Sequence, residues 1–235
     1  MSIFRPGEFN ITEKAMELCA FKEGARLLEI GSGEGDTGAH LMKKYGVTVE
    51  GLELDLEKIR ISKEKHPEVS VKYGDGEFLE DFSSFSMDGV IMECVLSLIN
   101  LPDEALHEAY CVLKKGGKLF ISDLYIKNPD EKQIQAAKIE AERMAKIPHE
   151  SNSCSEDCAE EHKKRAVNFR IGTSFLKDPL IEYLEEVGFQ VEFWEDRSAD
   201  LDTFVAERIL NGESLEGCKA EKGTGYFMLI AKKPE

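Results

Sequence analysis

The sequence predicts an α/β fold built on a mostly parallel sheet, and two observations carry that expectation. Through residue 125, short apolar runs alternate with amphipathic helical stretches, the rhythm of repeated βαβ units. Chemically distinctive residues also recur just beyond the end of each apolar run: glycines at 31–35, Glu53, Asp75 and Glu93–Cys94. Open α/β sheets bind ligands outside the carboxyl ends of their strands, so one crevice accounts for all of these positions.

The first unit is RLLEIGSGEGDTG, residues 26–38. Leu27, Leu28 and Ile30 read as a short buried strand, and a helix is expected from Asp36 through Tyr45. Ahead of it, ITEKAMELCAF reads as an amphipathic helix with Thr12 as its N-cap. Val47, Val49 and Leu52 form a second strand with Glu53 at its tip, and Asp55 caps a helix that runs to about Lys65. VSVKYG alternates as a third strand and ends in Gly74-Asp75-Gly76-Glu77. SMDGVIMECVLSLI supplies the fourth, with Val90, Ile91 and Met92 as its buried run. A helix with Pro102 in its first turn, a Lys-Lys-Gly-Gly turn at 114–117 and the strand KLFISDLYI follow.

Residues 128–175 break this rhythm. KQIQAAKIEAERMAKI is a helix by propensity, closed by Pro148, and a polar stretch leads on to FRIGTSF. After it, LIEYLEEVGF reads as a helix, QVEFWED as a strand, DLDTFVAERIL as a helix and GYFMLIAKK as a closing strand. The whole of 1–235 is expected to be a single domain.

Gly31, Gly33 and Gly35 alternate where the chain must reverse, so the main chain there accepts positive φ and close approach by a ligand. The helix that follows offers free N–H groups, which suits a nucleotide-like ligand. A dinucleotide fingerprint requires G-x-G-x-x-G, but its third position here is Asp36, an anion where a pyrophosphate would dock. A nicotinamide oxidoreductase is therefore disfavoured.

The spacing actually present, E-x-G-x-G-x-G from Glu29 to Gly35, resembles motif I of the class I S-adenosylmethionine-dependent methyltransferases. The helix–KKGG–strand segment is similar to that family's "VLKPGG" turn, with Lys115 where proline is usual. The resemblance implies a three-layer Rossmann-like sandwich with a seven-stranded, mostly parallel sheet and an antiparallel last strand. It also implies a helical insertion, 128–175 here, that caps the substrate. By the same resemblance, S-adenosyl-L-methionine would be held by Glu29, Gly31, Ser32, Gly33, Gly35, Thr37, Glu53, Leu54, Asp75, Gly76, Glu77 and Glu93. Glu53 would accept the ribose hydroxyls, Asp75 would accept from the adenine amino group, and the N-terminal segment would fold over the cofactor.

The segment ECVLSL and the turn after it are similar to the arsenite methyltransferase branch, in which cysteine thiolates bind trivalent arsenic. Soft ligands suit such a centre, and Cys94, Cys154 and Cys158 are the candidates for an acceptor site. That branch's cap cysteines have no match before Gly172, where the chain reads NFRI. Free surface thiols are the competing reading of the C-x₃-C at 154–158. With no second pair, that motif is not a zinc site, and no metal is expected.

The formal charge of −16 repels phosphate backbones and argues against nucleic acid as a partner. The basic cluster at 163–165 follows an acidic run and reads as a solvated helix face. No apolar run approaches the ~20 residues of a membrane span. MSIFRPGEFN lacks the apolar core of a signal peptide, so a cytoplasmic location is expected, with the six cysteines as thiols. The expected function is methyl transfer to a small-molecule acceptor, with a soft acceptor such as trivalent arsenic as one form. The competing class is a noncatalytic protein that binds S-adenosylmethionine or S-adenosylhomocysteine for regulation.

Overall fold

The computed structural model describes residues 5–144, 169–212 and 223–235. Its elements follow the expected order: α1 (Glu8–Cys19), β1 (Arg26–Ile30), α2 (Asp36–Tyr45), β2 (Thr48–Glu53), α3 (Leu56–Lys65), β3 (Ser70–Tyr73) and β4 (Met87–Glu93). A 3₁₀ turn (Leu96–Leu98), α4 (Pro102–Val112), β5 (Leu113–Ile126), α5 (Glu131–Met144), β6 (Arg170–Ile171) and β7 (Ser174–Phe175) come next. The chain closes with α6 (Lys177–Val187), β8 (Gln190–Asp196), α7 (Ser198–Leu210) and β9 (Thr224–Lys232).

Strands β3-β2-β1-β4-β5 run parallel, β9 pairs antiparallel with β5, and β8 pairs antiparallel with β9 at the edge. The expected sheet is therefore present. Two-residue strands β6 and β7 add a small hairpin, attached where Tyr125 pairs with Phe175, beyond the last β4–β5 partner at Ser122.

Alternation along the strands sends side chains to two cores. On one face Leu28, Ile30, Val90, Met92, Leu119, Ile121 and Leu229 pack with Leu106 and Ala109 of α4 and Leu180 and Leu184 of α6. On the other, Leu27, Ile91, Phe120, Met228 and Ile230 pack with Ile11, Ala15 and Met16 of α1 and Leu41 of α2. Helices on both faces complete the three-layer sandwich. Among the described residues, no helix is long and apolar enough to cross a membrane.

Two local expectations are corrected. Thr12 does not cap α1. The chain turns at Gly7 with φ 69° and the helix begins at Glu8, which puts Thr12 on the inner face at 0% exposure. The Lys-Lys-Gly-Gly segment does not precede β5 but lies inside it: the register with β4 jumps from Met87–Leu113 to Gly89–Lys118, and Gly116 takes φ +77°. Asp55 caps α3 as expected, accepting from the N–H groups of Glu57 (2.8 Å) and Lys58 (3.4 Å). Half of the 128–175 insertion lies outside the described residues.

Leu28 is fully enclosed between β4 and the α4–α6 face. Leu28→Ala is expected to lower unfolding free energy by about 2–5 kcal/mol, read as an earlier midpoint in chemical denaturation with an unchanged slope.

Candidate active site at the strand tips

The loop after β1 is shaped by main-chain bonds before any ligand is considered. Gly31 and Ser32 donate their N–H groups to Leu52 O at 2.8 and 2.9 Å, which holds the loop against the end of β2. Gly31 takes φ +73°, and a Cβ there would lie 2.5 Å from Val95 Cγ2, so glycine is required on both counts. At Gly33, with φ +55°, an added Cβ would meet nothing within 4 Å, so this side of the loop is open.

Glu53 binds the loop to the neighbouring strand. Its Oε2 accepts from Gly33 N at 2.8 Å, while Oε1 accepts from Leu54 N (2.9 Å) and Asp55 N (3.0 Å). Gly74 N donates to Glu53 O at 3.2 Å, bringing the turn after β3 alongside. In that turn Asp75 Oδ1 accepts from Glu77 N (3.1 Å), and Glu77 Oε1 accepts from Asn100 N (2.9 Å) and Leu101 N (3.1 Å) beyond β4. Gly76 is constrained by space alone, because a Cβ there would lie 2.5 Å from Ile30 Cγ2. Gly33, Glu53, Asp75 and Glu77 thus form one continuous rim over the ends of four strands. Leu54 stands 53% exposed on it. Asp36 opens α2 and is paired with Lys65 Nζ (2.8 Å) and His66 Nε2 (2.9 Å).

Beneath the rim runs a buried polar seam. Glu29, Glu93 and Ser122 each follow by two residues an apolar side chain of the α1 face, so they point the same way, and Tyr226 joins them from β9. Arg5 closes the seam from the N-terminal side. Its Nη1 lies 2.9 Å from Glu93 Oε2 and donates to Thr37 Oγ1 at 2.7 Å; Nη2 donates to Thr12 Oγ1 at 2.7 Å, and Nε donates to Glu8 O at 3.0 Å. Thr12 passes its own hydrogen to Glu93 at 2.9 Å. Burial opposes the charge on Arg5, but Glu93 and Glu29 beside it hold its pKa above the ordinary value.

Glu29 is the least satisfied member. The Thr37 hydroxyl and the Gly38 N–H approach its carboxyl, yet Oε2 has no hydrogen-bond partner among the described residues. Burial pushes this carboxyl up to about 8, reinforced by Glu93 and opposed by Arg5. Glu93 is raised for the same reason, against the pull of Arg5 and Thr12.

Cys94 sits at the end of β4 in a left-handed conformation, φ 54°, and its Sγ lies 2.9 Å from Tyr226 OH, which in turn donates to Ser122 Oγ at 3.1 Å. Burial, helped by Asp123, pushes the thiol up to about 12, so it is a neutral thiol rather than a thiolate. Asp123 accepts from Ser97 N and Leu124 N, and burial lifts it to about 6.

Of the positions singled out in the sequence, the structure brings Gly31, Ser32, Gly33, Glu53, Leu54, Asp75, Gly76 and Glu77 to the rim, while Gly35 is the buried N-cap of α2, packed against Ser62 of α3. Glu29, Thr37 and Glu93 lie in the seam below. Cys94 lies beside the seam, while Cys154 and Cys158 are outside the described residues. Sequence reasoning missed Arg5, Ser122, Asp123 and Tyr226. The polar pair Ser122-Asp123 inside the apolar run LFISDLYI was a usable signal; Arg5, in an irregular segment, offered none.

The sheet order, with helices on both faces and a glycine-bearing turn after its first strand, defines a Rossmann-like α/β sandwich. Residues 28–121 match the family model described as a methyltransferase domain. The chain is 31% identical over 122 residues to an arsenite methyltransferase of Aquipseudomonas alcaligenes, covering 45% of this chain and 34% of that one. It is also 31% identical over 100 residues to a demethylmenaquinone methyltransferase of Renibacterium salmoninarum, covering 43% and 41%. Among solved structures, phosphoethanolamine N-methyltransferase 2 of Haemonchus contortus with S-adenosyl-L-methionine superposes with TM-score 0.68 at 19% identity, over 100% of this chain and 54% of that one. At that identity the likeness concerns the fold alone. The methyltransferase-domain match thus covers the β1–β5 part of the sheet, where the strand-tip rim is built. The alignments span about a third of the length of the arsenite methyltransferases it matches.

Because the folded-state pKa of Glu29 lies above its unfolded value, the folded chain holds that proton more tightly. Stability from this group is present below the ordinary carboxylate pKa and declines as pH rises through about 8. The thermal midpoint of the ligand-free chain is expected to fall between pH 5 and pH 9, and Glu29→Gln is expected to flatten that fall, as read by calorimetry across the series.

Proposed function

We propose that the strand-tip crevice binds S-adenosyl-L-methionine and that the chain transfers its methyl group to a small-molecule acceptor. The observation that carries this reading is the joining of Gly33, Glu53, Asp75 and Glu77 into one rim by their own hydrogen bonds. The residues fit that cofactor. The rim is acidic and presents exposed Leu54, which suits an adenosyl group better than a diphosphate, and the orphaned Glu29 Oε2 below lacks the cation that would satisfy it.

When bound, the cofactor supplies an electrophilic methyl on a sulfonium. Glu53 keeps lone pairs for the ribose hydroxyls after accepting its three main-chain bonds, and Asp75 Oδ2 remains for an exocyclic amino group. The Gly31–Gly33 main chain lets the ligand approach closely, and the Glu29–Glu93 carboxyls favour its positive end. The chain's contribution to rate is then largely positioning, with the acceptor held in line beside the end of β4.

The 31% identity to an arsenite methyltransferase favours a soft, thiol-bound acceptor such as trivalent arsenic as the first acceptor to test. Under that reading Cys154 and Cys158 carry the acceptor with Cys94, whose thiol must first lose its proton. Titration calorimetry with S-adenosylmethionine tests the cofactor, and transfer of labelled methyl to arsenite with thiols, to quinols and to small amines tests the reaction. Micromolar cofactor binding with acceptor-dependent transfer is expected. Binding with no transfer to any acceptor would instead favour the regulatory alternative. If arsenite is the acceptor, Cys154→Ser abolishes its turnover and leaves cofactor binding intact; unchanged turnover removes the thiol site.

A further inference from the structure

The seam beneath the rim contains two buried carboxyls and one guanidinium. Glu93 is fully engaged, by Arg5, Thr12 and Ser122 (3.5 Å). Glu29 is not, because one of its oxygens is without a partner. Arg5 acts on Glu29 through its field and, by hydrogen bonds, through Thr37: Nη1 donates to Thr37 Oγ1, which leaves that hydroxyl's hydrogen free to point at the Glu29 carboxyl. The guanidinium also bridges the N-terminal segment to Thr37 of α2 and to Glu93 of β4. Arg5 is 8% exposed, Glu93 9% and Glu29 3%, so water does little to screen these charges.

We infer that Arg5 is the positioning residue that holds the Glu29–Glu93 carboxyl pair oriented and ready to ionise toward the cationic end of the cofactor. This inference rests on the cofactor reading proposed above. Arg5 acts through its contacts with Thr37 and Glu93 and through its field on Glu29. Two carboxyls facing one fixed cation leave the seam one positive charge short when both are ionised, and a ligand cation at the strand tips supplies it. The charged and polar groups around Glu29 are Arg5 from the N-terminal segment, Glu93 from β4, and Thr37 and the Gly38 N–H from α2. With Arg5 present, its field lowers the pH at which Glu29 ionises; without it, Glu93 and burial act unopposed.

The test compares cofactor binding across pH 6–10 in the full chain, by titration calorimetry, for the wild type, Arg5→Met and Arg5→Lys. Arg5→Met is expected to weaken S-adenosylmethionine binding roughly tenfold near neutral pH and to move the acid limb of its affinity profile alkaline by about one unit. Arg5→Lys, which keeps the charge but not the forked donors, is expected to restore the midpoint while leaving affinity reduced. In the wild type near pH 7.5, titrations in two buffers of different ionisation enthalpy are expected to show net proton release on binding S-adenosylmethionine. A merely structural role would weaken binding equally at every pH. An unmoved midpoint in Arg5→Met overturns the inference, and so does binding without proton release in the wild type, a result available even if the variant does not fold. If the wild type binds neither S-adenosylmethionine nor S-adenosylhomocysteine, the cofactor reading fails instead.

Discussion

One guanidinium set against two buried carboxyls organises the working end of this chain. A buried carboxylate is tolerated only when its charge is met, and Arg5 meets that of Glu93 by contact and that of Glu29 through its field and Thr37. The arrangement has structural consequences. It draws the N-terminal segment across the sheet, fixes α1 over the ends of β4, β5 and β9, and pins the first turn of α2 through Thr37. The glycine loop sits directly above, and its geometry depends on that turn staying where it is. Ion pair, helix placement and loop shape are one coupled feature of the molecule.

The rim above follows a different logic. Its carboxylates, Glu53, Asp75 and Glu77, are satisfied by main-chain N–H groups of the loops they border. Glu53 and Glu77 each tie two loops together and Asp75 braces its own turn, so the rim is preorganised by hydrogen bonds that need no ligand. Such bonds order the backbone in advance, which is what a site that works mainly by positioning requires. The seam below is the opposite case, with one oxygen left unanswered.

Much of this was legible in the sequence because the two signals were local. Hydrophobic runs and capping residues placed most elements, Asp55 at the start of α3 being a clear instance, and glycine spacing located the loop after β1. Glu53 and Asp75 were legible because each lies at the end of an alternating run. What escaped was non-local. Thr12 has the chemistry of a helix cap, but tertiary burial against Glu93 overrode that preference and the helix began earlier, at Glu8 after the turn at Gly7. Lys114–Gly117 reads as a turn, yet pairing with β4 on one side and β9 on the other carries the strand straight through it as a bulge. Arg5 lies 32 residues from Thr37 and still further from Glu93, and no pattern around it announces a buried partner. Cys94 was readable as a candidate acceptor ligand by its position, but its environment, which Tyr226 sets from the far end of the chain, was not.

The fold and the partial matches leave the acceptor open, since the relatives matched are named for acceptors as different as arsenite and demethylmenaquinone. The prior question is whether the strand-tip crevice holds the adenosyl ligand at all. A crystal structure of the full chain grown with S-adenosylhomocysteine answers it most directly. The account predicts density lying across the Gly31–Gly33 main chain, with the ribose against Glu53 and the adenine edge against Asp75. Density elsewhere on the molecule, with the rim empty, would contradict it.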